Sequence, residues 1–224
     1  MATVLIVGAS RGIGLEFARQ YAADGARVIA THRKPDDGTR LRELGARPLL
    51  LDVMEEGAVL SLADQLDQAP IDVAILNAGV VGPRSQRIAI PGGLDFDAVF
   101  HTNVRAPMQI IAQLAPNLIA ARGKIAMISS RMGSISLATG NSNWLYRASK
   151  AAVNAALRSA SLELGPQGVV CMSFHPGWVR TEMGGAGADI DAVDSVTGMR
   201  RVIASANDSH NGKFLTYNGE QLSW

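Results

Sequence analysis

Tyr146 and Lys150 stand four residues apart in "NWLYRASKAAVNAAL", Asn143 to Leu157. On a helix that spacing puts both side chains on one face, so they can point into one cleft. A free tyrosine, with a pKa near ~10, exchanges protons poorly at neutral pH. A nearby ammonium favours the phenolate: at about 4 Å and an effective dielectric of about 20, the attraction is roughly 4 kcal/mol. That amounts to as much as about 3 pKa units, less the cost of desolvating the lysine. The pair therefore suits acid–base chemistry with Tyr146 as the proton carrier. A single tyrosine is more often a half-buried core aromatic, so other residues must decide.

A second constellation lies near the start. In "VLIVGASRGIGLEFA" the glycines Gly8, Gly12 and Gly14 follow the spacing G-x-x-x-G-x-G. Glycines allow a tight turn and a close approach of backbone to ligand. The helix that follows offers unpaired N–H groups and a positive dipole end, which suit a pyrophosphate. Such a turn is a dinucleotide site only in the first strand–helix unit of a parallel sheet. A methyl-donor cofactor is an alternative occupant, but it leaves Tyr146 and Lys150 without a task.

The elements needed to hold these groups are legible. "TVLIV", "RVIAT", "RPLLLDV", "IDVAILNAG", "GKIAMISS", "GVVCMSF" and "GKFLTY" read as seven strands. They are continuous apolar runs rather than alternating ones, as expected of strands covered on both faces. Helical stretches run from about Ile13 to Ala23 and from about Asp95 to Ala121, where Pro107 should kink or break the helix. Strands separated by helices imply right-handed crossovers. The expected fold is α/β: one Rossmann-type, doubly wound domain over residues 1–224, with a mostly parallel seven-stranded sheet.

Composition narrows the function. A net charge of +1 gives no reason to expect nucleic acid or an anionic membrane as partner. No apolar run approaches a membrane span, and no secretory signal precedes "TVLIVG", so a cytoplasmic location is expected. The four histidines lack metal-ligand spacing, so no metal is expected. Cys171, the only cysteine, reads as a buried structural thiol.

"VGASRGIG", "NAG" at 77–79, Asn103, "ISS" at 128–130, "YRASK" and "HPGWVRT" occur in the order found in short-chain dehydrogenases/reductases, which the chain resembles over nearly its whole length. "HPGWVRTEMGG" and "GKFLTYNGEQLSW" are most similar to the C-factor and sniffer-type carbonyl reductase branch. The resemblance implies a catalytic set of Asn103, Ser130, Tyr146 and Lys150. Tyr146 would be the acid/base, Lys150 would also hydrogen-bond the nicotinamide ribose, and Asn103 would hold a water in a proton relay. Ser130 would polarise the substrate carbonyl as an oxyanion-type donor. It stands sixteen residues before Tyr146, so "SISLATGNSNWL" must loop out over the cleft. Val7 and Leu76 replace polar residues common in the family, which affects structural hydrogen bonds only.

By the same resemblance Gly8, Ser10, Arg11, Gly12, Ile13 and Gly14 cradle the cofactor. Asp52 would meet the adenine amino group, with Val53 beside it, although a helix N-cap is a serious competing role for Asp52. Asn77, Ala78 and Gly79 would line the cofactor, and Pro176, Gly177, Val179 and Thr181 its nicotinamide end. Ser130, Tyr146, Trp178 and Met183 are the substrate contacts. His175 would support the site from behind. Residues 182–195 form a candidate substrate loop, flexible by virtue of "GGAG". NAD-preferring folds carry an acid near the end of the second strand. Here "ATHRKP" offers Arg33 instead, and Arg11 is a second candidate for a 2′-phosphate. NADP(H) is the expected cofactor, with NAD(H) as a second option.

The expected function is NADP-dependent reduction of an aldehyde or ketone, or the reverse. The alternative is a regulatory or signalling protein that binds dinucleotide and turns over incidentally. The alanine-rich "AAVNAALRSASLEL" after Lys150 reads as apolar nearly all round, so a homodimer packed through this helix and the one from Asp95 is expected.

Overall fold

A computed structural model describes residues 1–224. Seven strands form one sheet: β1 Thr3–Val7, β2 Arg27–His32, β3 Arg47–Leu50, β4 Val73–Leu76, β5 Lys124–Ile128, β6 Val170–His175 and β7 Lys213–Thr216. Their order is β3-β2-β1-β4-β5-β6-β7. Every neighbouring pair is parallel, so the sheet is wholly rather than mostly parallel.

Both faces are covered, which explains the unbroken apolar strands. Along β1, Leu5 and Val7 point to one side and Val4 and Ile6 to the other. The first side meets α6 (Ala106–Ala121) and α7 (Trp144–Leu164) through Ile110, Leu114, Leu118, Val153 and Leu157. The second meets α1 (Gly12–Ala23) and α8 (Ala192–Ser205) through Phe17, Ala18, Val196, Met199 and Ile203. Cys171 is buried on the α6/α7 side, and burial pushes its thiol up to about 12. No helix is long and apolar enough to cross a membrane.

The remaining helices are α2 (Asp37–Glu43), α3 (Glu56–Leu60), α4 (Leu62–Gln65) and α5 (Gly93–Phe100). The expected break at Pro107 appears as a π-helical turn, His101–Arg105, between α5 and α6. Proline has no N–H for the carbonyl four residues back, which is that of Asn103. On α7 the chain itself buries a single stripe: Tyr146, Lys150, Val153, Leu157, Ser161 and Leu164. Ala155 and Leu162 stay exposed, so the helix is not covered all round.

The two sheet margins differ. On β3, Pro48 sits in register with Ala30. Beyond β7 the chain turns back: Leu222 N–H donates to the Phe214 carbonyl and Thr216 N–H to the Glu220 carbonyl, each at 2.8 Å. Trp224 then stacks on Phe214 with ring centroids 5.3 Å apart.

Candidate functional site

The strand order reverses between β1 and β4, which opens a crevice at their carboxyl ends. The glycine turn fills one wall. Gly8 has a φ of +86°, and a Cβ there would stand 2.8 Å from the Ala78 backbone. At Gly14 a Cβ would come within 2.1 Å of the Gly8 carbonyl oxygen. That carbonyl accepts from Asn77 Nδ2 at 2.7 Å, and Gly8 N–H donates to Thr31 Oγ1 at 2.9 Å. The sequence shows Thr31 only as a polar residue inside an apolar strand, and the structure buries it fully in β2. Ser10 and Ile13 are half-buried in the same turn.

Arg11 precedes α1 and is exposed, and its guanidinium pairs with Glu182 rather than standing free for a phosphate. Arg33 follows β2 directly, exposed and without a hydrogen-bond or ion-pair partner. Asp52 lies just beyond β3, where Oδ1 accepts from the Met54 N–H at 3.0 Å. That is an Asx turn leading toward α3, close to the competing capping role. Val53 is buried beside it.

Asn77, Ala78 and Gly79 follow β4 toward the acid–base residues. A Cβ on Gly79 would stand 3.2 Å from Asn103 Oδ1 and 3.5 Å from Lys150 Nζ. The Asn103 amide is almost fully engaged. Nδ2 donates to the Val80 carbonyl at 2.8 Å and to Ser149 Oγ at 3.0 Å, while Oδ1 accepts from Val80 N–H at 2.9 Å. It ties the segment after β4 to α7. A water relay would have to use its main-chain carbonyl, the one Pro107 leaves without its usual donor.

Tyr146 and Lys150 share the buried stripe of α7, with Lys150 Nζ 5.7 Å from the tyrosine ring centroid. Lys150 Nζ donates to the Ile128 carbonyl at 2.9 Å. Burial lowers Lys150 to about 8. Burial also raises Tyr146 to about 12, against a smaller opposing effect of its hydrogen-bonding neighbour Ser130. The expectation that the ammonium lowers the tyrosine is therefore not met: the lysine is turned to a carbonyl, and desolvation dominates both groups.

Ser130 lies two residues beyond β5 and caps a short 3-10 turn, Arg131–Gly133, by accepting from Met132 N–H at 3.1 Å. Gly133 seats this turn on α7, since a Cβ there would come within 2.7 Å of the Lys150 backbone. The insert beyond is pinned. Ser134 Oγ donates to the Ser223 carbonyl at 2.8 Å, and Ser136 N–H and Oγ donate to the Trp224 carbonyl at 3.0 and 2.8 Å. Asn143, just before α7, exchanges bonds with Ser85: its N–H donates to the Ser85 carbonyl at 2.8 Å, and its Oδ1 accepts from Ser85 N–H at 2.9 Å.

After β6 come Pro176, Gly177, Trp178, Val179 and Thr181. Thr181 leans over the glycine turn, its methyl 3.2 Å from where a Gly12 Cβ would stand. His175 at the end of β6 is held at about 4, chiefly by burial and secondly by the Arg131 guanidinium, so it is neutral at physiological pH. The loop beyond is folded rather than loose. Trp178 Nε1 donates to the Gly184 carbonyl at 2.9 Å, and Val179 bridges Ile190. It ends at Asp191, because α8 already begins at Ala192. Trp178 and Met183 are exposed beside the crevice.

This arrangement has counterparts of known sequence and structure. A sequence model of the short chain dehydrogenase family matches residues 2–189. The C-signal of Myxococcus xanthus is 39% identical over 165 residues, covering 73% of this chain and 99% of that protein. The carbonyl reductase Sniffer of D. melanogaster superimposes with a TM-score of 0.92 at 28% identity, over 100% of both chains. A carbonyl reductase from Pseudomonas aeruginosa PAO1 in complex with NADP gives a TM-score of 0.89 at 33% identity, also over 100% of both. The chain belongs to the short chain dehydrogenase family and is an oxidoreductase. Within the family it is similar to the C-factor and sniffer-type branch.

Proposed function

We infer that the protein is an NADP(H)-dependent carbonyl reductase that interconverts an aldehyde or ketone and its alcohol. The observation that carries this reading is the convergence of buried Tyr146 and Lys150 with half-buried Ser130, beside Gly79 and at the carboxyl edge of the sheet. The bound NADP of the Pseudomonas aeruginosa neighbour supports the cofactor assignment. So do the turn itself, whose glycines Gly8, Gly12 and Gly14 let the backbone run tightly into the N-terminus of α1, and Arg33, whose guanidinium is free to meet a 2′-phosphate. NAD(H) would be the poorer cofactor.

When bound, the nicotinamide supplies the hydride that reaches the carbonyl carbon. Tyr146 donates its phenolic proton to the carbonyl oxygen, and Ser130 hydrogen-bonds that oxygen as negative charge builds on it. Lys150 orients the ribose and passes a proton back to Tyr146, with the Asn103 main-chain carbonyl holding the relay water. Trp178 and Met183 supply apolar walls for the substrate. The decisive experiment is a panel of aldehydes and ketones with NADPH oxidation as readout. Turnover is expected with the wild type and its near-abolition with Tyr146→Phe; no NADPH oxidation with any carbonyl would sink the reading. A second reading, a regulatory dinucleotide-binding protein, draws on the likeness to the C-signal. It requires Tyr146→Phe to leave the biological effect intact.

A further inference from the structure

Three segments frame the mouth above Tyr146: residues 79–92 after β4, residues 129–147 between β5 and the first turn of α7, and residues 176–191 after β6. The first two hold Arg84, Arg87, Arg131 and Arg147 and no aspartate or glutamate, in a chain whose net charge is only +1. Carboxylates on the third segment are committed elsewhere: Glu182 pairs with Arg11 and Asp191 with Arg180, on which Asp189 also acts. Arg147 is turned back on its own loop, with Nε donating to the Ser142 carbonyl at 2.9 Å.

Arg84 and Arg131 are different. Arg84 reaches from the segment after β4 to the segment after β6, where Nη2 donates to the Met183 carbonyl at 2.7 Å. It thereby crosses the mouth, and its only partner is a neutral group. Arg131 follows Ser130 directly, is exposed, and makes no hydrogen bond or ion pair. It stands close enough to His175 at the end of β6 to disfavour the imidazolium. Neither guanidinium is paired with a carboxylate, and each keeps donors in a planar fork that matches one.

We propose that the substrate carries a carboxylate remote from its reacting carbonyl, and that Arg84 and Arg131 are the specificity-determining residues that receive it. The inference rests on the carbonyl reductase reading above. A charge-assisted bond of this kind corresponds to about a tenfold to hundredfold preference.

The test compares kcat/KM for para-carboxybenzaldehyde with that for its methyl ester, with NADPH and the full chain at low salt. The expected result is a preference of about tenfold or more for the carboxylate, shrinking as salt screens the pair. In the double variant Arg84→Gln/Arg131→Gln the ratio should fall to about one, through a higher KM for the carboxylate. Equal kcat/KM for both aldehydes in the wild type overturns the proposal, as does a preference that survives in the double variant. A rise in KM for NADPH that affects both aldehydes alike also overturns it, by placing the arginines on the cofactor. If neither aldehyde turns over, the carbonyl reductase reading is judged by the wider panel above and not by this pair. Calorimetric titration with para-carboxybenzaldehyde, with and without NADP, then decides the inference: binding lost in the double variant upholds it, and absence of such binding overturns it.

Discussion

Lys150 and Tyr146 are displaced by burial in opposite senses, and the folded protein should show both displacements in its stability. Lys150 falls from its ordinary 10.5 to about 8. Between those values the unfolded chain holds a proton that the folded chain has released, so stability rises with pH across that window. Tyr146 rises from 10.0 to about 12. There the unfolded chain loses its proton first, so stability falls with pH from about 10 to about 12. Urea titrations at stepped pH check this: Lys150→Met should lose the rise, and Tyr146→Phe should lose the fall. Arg33 offers a separate test. Its loss in Arg33→Ala should cut the ratio of kcat/KM for NADPH over NADH by about tenfold, the worth of one charge-assisted bond; an unchanged ratio would remove Arg33 from the cofactor site. At this scale the sequence was informative where spacing carried the chemistry, as for Tyr146 and Lys150. It was silent about Thr31 and Asn143, whose tasks are bonds to residues far away in the chain. It misjudged the balance at Tyr146, because depth of burial is not written in a four-residue spacing.

The short turn Arg131–Gly133 is the element on which the relation of Ser130 to α7 depends. Its seat leaves no room for a side chain, since a Cβ on Gly133 would meet the Lys150 backbone at 2.7 Å. Gly133→Ala should therefore cost roughly 1–3 kcal/mol of stability, as overpacking usually does, and also lower kcat, because the turn and α7 must part. Thermal unfolding together with steady-state kinetics checks both; an alanine variant with wild-type kcat would mean that the turn does not set the serine. Strands and long helices were legible because their apolar runs are long enough to show a period or its absence. The helices α2 and α4 leave no mark in the sequence, and α3 only the capping option at Asp52, because seven residues or fewer display too little periodicity. The expected loop 182–195 overlaps the first turn of α8, because the glycines before Ala192 mask the start of the helix. Pro107 did announce the irregularity before α6, though not that it would be a π turn.

On the scale of the molecule, the faces left open by the chain are those of α5, α6 and α7. Leu94 is 88% exposed, Leu162 63% and Met108 53%, with Ala155 exposed beside Leu162. Small residues on α7 permit the close approach of another helix, and a two-fold pairing of these faces is the expected assembly. Light scattering at micromolar concentration should give twice the 23.6 kDa of one chain, and Ala155→Arg should return it to one; a wild-type mass of 23.6 kDa would end the dimer hypothesis. Sequence alone pointed to these helices but overstated how far α7 is apolar, since which alanines meet the sheet depends on how the helix is rotated. The margins of the sheet bear on association as well. An unprotected outer strand is a template for adding another chain's strand, the usual route to fibrillar aggregates. β3 carries Pro48, which has no N–H to offer an incoming strand, and the outer side of β7 is occupied by the returning segment 220–222. Chains of this protein thus have no ready strand by which to extend their sheets into one another, and the C-terminal stretch does both jobs in sequence: residues 220–222 cover the outer side of β7, and Ser223 and Trp224 just beyond them hold the insert before α7.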